Sequence, residues 1–468
     1  MVFANLIFIY IFLPLNLLLY FITKNKTFRN VVLIVFSLLF YTWGEPVWVG
    51  LLLFSVAYDY LHGLAIQRWR GKWQAKVALI SALTMNIGLL VVFKYSGFLV
   101  ENMNSLFGLS LPVPAVGLPI GISFYTFQII SYVVDVYRGD VLAQRSFFKF
   151  LMYVSSYHQL VAGPIVRYSD IEAEIDSRQI SFSDISEGVT KFAIGLAKKV
   201  MVANVAGQLV AQYLDGDLTR LSVAGSWFGV LLFALQLYYD FSAYSDMAIG
   251  LGRIFGFHYG VNFNYPYIAA SVTEFWRRWH ISLSSFFRDY VYIPLGGNRK
   301  HQVFNIAVVW LLTGLWHGAS WNFVLWGAYY GALLIIEKWF LLGILKKLPA
   351  LFGHIYLIAV SLVGWALFYV TDMSRLKQLL SIMFGQGGAP LTDVTLSIVI
   401  SNNIFWLGAV LLFCMPVTQW VKRRAQAIGQ RGQVVVQGCT AAMNLVILFL
   451  CTAMLVGQSY NPFLYFRF

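Results

Sequence analysis

Two histidines stand in segments where an ionisable side chain is costly. His317 lies in TGLWHGASWNFVLWG (313–327), between two of the most apolar stretches of the chain and among three tryptophans. His280 lies in TEFWRRWHISLSSFFRDYVYIPLGGNRK (273–300). An ionisable group at membrane depth is a functional candidate by default. An imidazole kept neutral by apolar surroundings is suited to take a proton as a general base. The plainer alternative for each is a neutral ring satisfied by a neighbouring helix. Gly318 and Ala319 keep bulk away from His317 and read as clearance for a substrate.

Other polar groups surround this pair in sequence. In QLYYDFSAYSDMAIG (236–250), Gln236, Asp240 and Tyr244 share one helical face. A buried carboxylate needs a partner, so Asp240 or Asp246 is expected to pair with an arginine of 253–300 or to hold a coupled cation. Asp135 and Gln128 pose the same choice more weakly, and Asn322 is a further polar residue beside His317. The Gly296–Lys300 turn offers main-chain N–H groups, Asn298 and Arg299 to an anionic donor, with Arg277 and Arg278 as further contacts. No GxSxG elbow, His-x4-Asp pair, P-loop or GxGxxG occurs, so chemistry must rest on the histidines. Cys414, Cys439 and Cys451 form no CxxC pair, and neither a disulfide framework nor a metal centre is expected.

The elements that position these residues are those of a polytopic membrane protein. Of 468 residues 59% are hydrophobic and 11% charged, against about 25% charged in a soluble domain. Apolar runs near 4–22, 30–43, 47–66, 76–93, 117–137, 147–166, 188–212, 223–251, 320–342, 353–371, 403–421 and 438–457 approach the roughly 20 residues a crossing takes. The first reads as a retained span, not a cleaved signal. Net charge is +13, gathered in short loops after the first, third and fifth runs. This is the positive-inside pattern, which puts the N-terminus outside and assigns the charge to lipid, not nucleic acid.

Segment 253–303 breaks the rhythm. Trp276, His280, Leu283 and Phe287 fall on one face of an expected interfacial or re-entrant amphipathic helix. The run 304–316 is too short to cross, so 304–342 reads as a hairpin with His317 at its irregular apex. Such backbone is tolerated at depth only where protein buries it or a cavity is lined.

Seven stretches in order, MVF, LPIGISFYTFQIISYVVDVYRG (118–139), LVAGPIVR (160–167), QLYYDFSAYSDMAIGLG (236–252), 273–300, GLWHGASWNFVLWG (314–327) and NPFLYFRF (461–468), resemble the bacterial membrane-bound O-acyltransferases of the alginate O-acetyltransferase type. The resemblance implies an all-α fold of about 11–12 transmembrane helices plus re-entrant or amphipathic helices around a central tunnel. It also implies a single membrane-embedded domain over 1–468, with its catalytic core near 117–342, in the bacterial inner membrane. It implies catalysis by His317, a second tunnel residue at His280, acetyl-CoA as donor with no permanently bound cofactor, and an exported polysaccharide as acceptor. A periplasmic or surface-anchored SGNH-type acetyltransferase and a polysaccharide synthase or export complex are the implied protein partners. The chain departs from the pattern at Ser155–His158, and a short 422–437 loop leaves cellulose beside alginate as acceptor. Two other readings are an ion-coupled transporter, for which paired helix breaks in two related halves are expected and one break is found, and a non-catalytic export scaffold.

Overall fold

A computed structural model describes residues 1–161, 163–427, 429–457 and 463–464. Of the terminal NPFLYFRF only Phe463 and Leu464 lie within the described residues, and Ala162 of LVAGPIVR lies outside them. Every regular element among the described residues is helical. The helices used below are α1 (Lys26–Gly44), α2 (Val49–Arg68), α3 (Trp73–Leu90), α4 (Ile122–Arg138), α5 (Tyr168–Asp176), α6 (Phe182–Ala197), α7 (Val223–Ile254), α8 (Val272–Arg278), α9 (Ile281–Phe287), α10 (Gln302–His317), α11 (Trp321–Ile336) and α12 (Ala350–Tyr369).

Seven helical stretches among the described residues are long and apolar enough to cross a membrane, or eight if the bent pair Val394–Asn402 and Ile404–Phe413 counts as one. The twelve apolar runs of the sequence outnumber these long helices for identifiable reasons. Phe8–Phe21 and α10 are apolar but short. The 147–166 run breaks at Ser156 into helices Phe147–Ser155 and Tyr157–Leu160. Helix α4 has 17 residues, fourteen of them buried. In α7, Gln236, Tyr238, Tyr239 and Asp240 interrupt the apolar sequence.

The chain forms two compact units. Among the described residues the first comprises most of 1–192, Tyr244–Val261, and Phe463 and Leu464. Helices α2, α3 and α4 pack together there. Between α2 and α3 the buried Asp59 carboxylate accepts both oxygens' worth of hydrogen bonding from Asn86 Nδ2, at 3.0 and 2.9 Å. In the same unit α6 and the end of α7 cross at Gly188 and Gly250, where a Cβ on either would meet the other's carbonyl oxygen at 2.7 or 2.6 Å. Small residues at such crossings let backbones approach where burial of apolar surface supplies little drive between helices.

Among the described residues the second unit comprises Ala193–Ala243 and most of 262–457. In it α10 and α11 form a hairpin whose backbones touch: a Cβ on Gly314 would meet the Phe323 carbonyl, and one on Gly327 the Trp310 carbonyl. The sequence between them, Gly318–Ser320, is non-helical, as the apex expectation required. Gly318 does not provide substrate clearance, because the Phe323 ring occupies the space where its Cβ would stand.

Candidate functional site

The expected amphipathic helix over 276–287 is two helices. Ser271 caps α8 by accepting the Glu274 N–H at 3.1 Å, as hydroxyl side chains do at helix starts. Helix α8 stops at Arg278, and α9 begins at Ile281. Between them His280 sits at φ 44°, in the left-handed region, which is uncommon for a residue with a Cβ. The periodicity of Trp276, His280, Leu283 and Phe287 fits one helix and fits two short ones equally. What breaks it is tertiary: Asn262, on the preceding segment, accepts Ile281 N–H through its main-chain oxygen at 2.9 Å. Its side-chain Oδ1 accepts Ser282 N–H at 3.1 Å and lies 3.2 Å from His280 Nδ1.

His280 is 2% exposed. Phe241 stands edge-on to it with centroids 4.6 Å apart, and the Phe263 ring stacks at 6.3 Å. His280 belongs to none of the candidate spans, and burial pushes its pKa down from 6.5 to about 3, so the ring is neutral. His317 closes α10 and is also buried. Trp316, Trp326 and Phe368 meet its ring edge-to-face at 5.0, 5.0 and 5.1 Å. Trp316 joins the two histidines, since its ring is also 6.0 Å from His280. The second unit therefore sets both imidazoles among aromatic rings, with Trp316 against each.

The other predicted residues fall into distinct roles. Asn322 Nδ2 donates to the Leu367 and Phe368 carbonyls at 3.3 and 3.1 Å, tying the start of α11 to the end of α12. Asp240 is buried and paired with Lys199 at 2.6 Å; Asp246, in the first unit, pairs with Lys191 at 3.3 Å. Lys191 lies in α6 and Lys199 two residues past its end, correcting the expectation of an arginine from 253–300. Tyr244, also in the first unit, stacks on Phe3 at 4.7 Å. Arg277 and Arg299 are exposed, while Arg278 is engaged by Glu274 at 2.7 Å and by the Asn264 carbonyl at 3.3 Å. Asn298 Oδ1 accepts from Tyr292 Oη at 2.7 Å and Gln302 Nε2 at 2.6 Å.

Sequence reasoning missed three supporting residues. Lys199 sits in GLAKKVMVA, where it reads as an interruption of an apolar run. Glu337, in LLIIEKW, is a lone carboxylate at the end of an apolar helix; it is 1% exposed and accepts the Val272 and Thr273 N–H groups that open α8. Asn262 is one of two asparagines in VNFNYPY, and nothing in that spacing distinguishes it. His158, where the chain departs from the family pattern, is buried in the first unit with Nδ1 2.7 Å from Tyr259 Oη.

The family model for the membrane-bound O-acyltransferase family matches residues 142–348, which include both histidines. The chain is 36% identical to a probable alginate O-acetylase of Azotobacter vinelandii over the whole of both chains. It is 30% identical to a peptidoglycan O-acetyltransferase of Helicobacter pylori, covering 100% of this chain and 98% of that protein. With a teichoic acid D-alanyltransferase of Streptococcus thermophilus it shares 27% identity over 47% of this chain and 56% of the other. An all-helical, multi-pass chain with end-to-end similarity to O-acetylating proteins is thereby placed: it belongs to the membrane-bound O-acyltransferase family and is an acyltransferase.

Proposed function

We propose that this protein moves acetyl groups from cytoplasmic acetyl-CoA across the inner membrane for O-acetylation of an exported polysaccharide, of alginate or cellulose type. The observation that carries the reading is the burial of His317 and His280 among aromatic rings, with Trp316 in contact with both, in a chain similar throughout its length to alginate O-acetylases. An acceptor hydroxyl attacks the thioester carbonyl carbon as its proton passes to His317. The C–S bond then breaks, and the CoA sulfur leaves with the proton, giving the acetyl ester and free CoA. His280 positions or relays.

The catalytic core is assigned to 117–342. Arg277, Arg278, Asn298 and Arg299 are assigned to the donor, Arg278 in its Glu274-bound form. A periplasmic or surface-anchored SGNH-type acetyltransferase completes delivery beside a polysaccharide synthase or export complex. The ion-coupled alternative needs a carboxylate open to a cation, whereas Asp240 and Asp246 each lie against a lysine.

The test is His317→Ala in a strain making the acetylated polymer, with O-acetyl content read by NMR and membrane abundance by immunoblot. Lost acetylation at unchanged abundance is expected; wild-type acetylation overturns the assignment and favours a scaffold. CoA release by purified protein with polymer and partner proteins present separates transferase from transporter.

A further inference from the structure

We infer that Asn262 is a positioning residue whose side-chain carbonyl fixes His280 as the Nδ1–H tautomer, leaving Nε2 an unprotonated acceptor. The inference rests on the reading that His280 serves acetyl transfer.

The atoms decide the tautomer. Asn262 Oδ1 accepts the main-chain N–H of Ser282 at 3.1 Å and the Ser282 hydroxyl at 3.0 Å. A main-chain N–H only donates, so the Asn262 atom at this point is the oxygen and not the amide nitrogen. His280 Nδ1 lies 3.2 Å from that same oxygen. Without a proton on Nδ1, two lone pairs would face each other. With one, Nδ1 donates to Oδ1, and Ser282 Oγ at 3.4 Å is a compatible second acceptor. The neutral ring has one N–H, so Nε2 is bare. It is buried with no hydrogen-bond partner among the described residues, which is the state of an acceptor awaiting a donor from substrate.

Asn262 is itself immobilised, being 1% exposed and bonded through its main-chain oxygen to Ile281 N–H. These bonds also hold His280 in its left-handed backbone conformation, which is uncommon for a residue with a Cβ. Ionisable groups on the surrounding elements are engaged or remote in role: Asp240 on α7 by Lys199 and Arg278 on α8 by Glu274, with His317 on α10 the other imidazole and Arg277 exposed.

The experiment is solid-state 15N NMR of histidine-labelled protein in lipid, with the His280 signals assigned by difference from His280→Gln. Two variants are compared, Asn262→Asp and Asn262→Leu, each also assayed for acetyl transfer across pH. Wild type is expected to show protonated Nδ1 and bare Nε2 from mildly acidic to mildly alkaline pH. Asn262→Asp keeps the acceptor and adds a charge, so it keeps the tautomer but moves the acid limb of the rate profile to higher pH. Asn262→Leu releases the tautomer and lowers kcat by roughly 100-fold or more, with KM for acetyl-CoA little changed. A protonated Nε2 in wild type overturns the inference, as does an Asn262→Leu protein with wild-type spectrum and rate. If Asn262→Leu fails to fold, the wild-type and Asn262→Asp spectra decide. Intact acetylation in His280→Ala removes the functional reading of His280 and leaves the tautomer result standing.

Discussion

The Glu337 carboxylate accepts the main-chain N–H of Val272 at 2.6 Å, and Thr273 N–H lies 2.8 Å from its other oxygen. These are two of the unsatisfied donors every helix start leaves, and here an acid from a different helix satisfies them in a buried setting. Helix α8 is thereby fastened at the end opposite His280.

Glu337→Ala should leave both donors buried and unpaired, at a cost of about 1–3 kcal/mol each. Glu337→Gln retains one acceptor and should lose about half of that. Thermal unfolding in detergent and acetyl-transfer rate are expected to rank wild type above Gln above Ala. Indistinguishable Ala and wild-type proteins would remove the fastening role.

The Lys199–Asp240 pair is nearly inaccessible on both sides, with 3% and 4% side-chain exposure. Removing one charge from such a pair costs about 3–5 kcal/mol, whereas replacing both by apolar groups is often neutral. Lys199→Met and Asp240→Leu should each reduce the yield of folded protein sharply, and the double variant should recover most of it. Size-exclusion profiles of the three variants measure this, and a double variant worse than either single would contradict it.

The hairpin predicts position-specific intolerance of side chains. Gly314→Val and Gly327→Val drive a branched side chain into facing backbone and should abolish accumulation. Gly343→Ala, where nothing lies within 4 Å of the added carbon, should leave abundance and activity unchanged. Equal abundance across the three proteins would mean that α10 and α11 do not pack as described.

In the first unit His258 lies 2.7 Å from Glu174 and 3.2 Å from Asp184, linking its turn to α5 and α6. Burial opposes its charge, but the two carboxylates outweigh it and raise its pKa above 6.5. The sign follows: the stabilisation is complete below 6.5, where the ring is charged folded or unfolded, and disappears as pH rises through the raised folded value. Because the side chain is 44% exposed, its worth is below about 1 kcal/mol. Wild type should therefore lose slightly more thermal stability from acidic to alkaline pH than His258→Gln; parallel curves would argue against the linkage.

Much of the scaffold was legible from apolar runs, because a span must satisfy its backbone internally and so writes a continuous signal. The short run 304–316 announced α10 and the irregular turn after His317. Apolar runs outnumber the long apolar helices where a helix is short, as in α4, or where a run is interrupted, as at Ser156. In the site, residue types identified both histidines, but partners across the fold stayed hidden. Lys199 is 41 positions from Asp240, Glu337 is 65 from Val272 and Asn262 is 18 from His280; no local period encodes such pairs. Gly318 was misjudged for the same reason, since Phe323 fills its space only once the hairpin has closed.

Helix α11 begins four residues after His317, and the chain that continues it presents Glu337 to α8. The tally of residues between His317 and Glu337 thus acts as a ruler. Inserting or deleting one residue within α11 would swing the carboxylate about 100° around the axis and slide it about 1.5 Å along it, away from Val272 and Thr273. Point changes on the exposed flank of α11 are tolerable by this criterion, whereas a one-residue change in length is not. The spacing of the two imidazoles is therefore written in a count, independent of which apolar residues supply it.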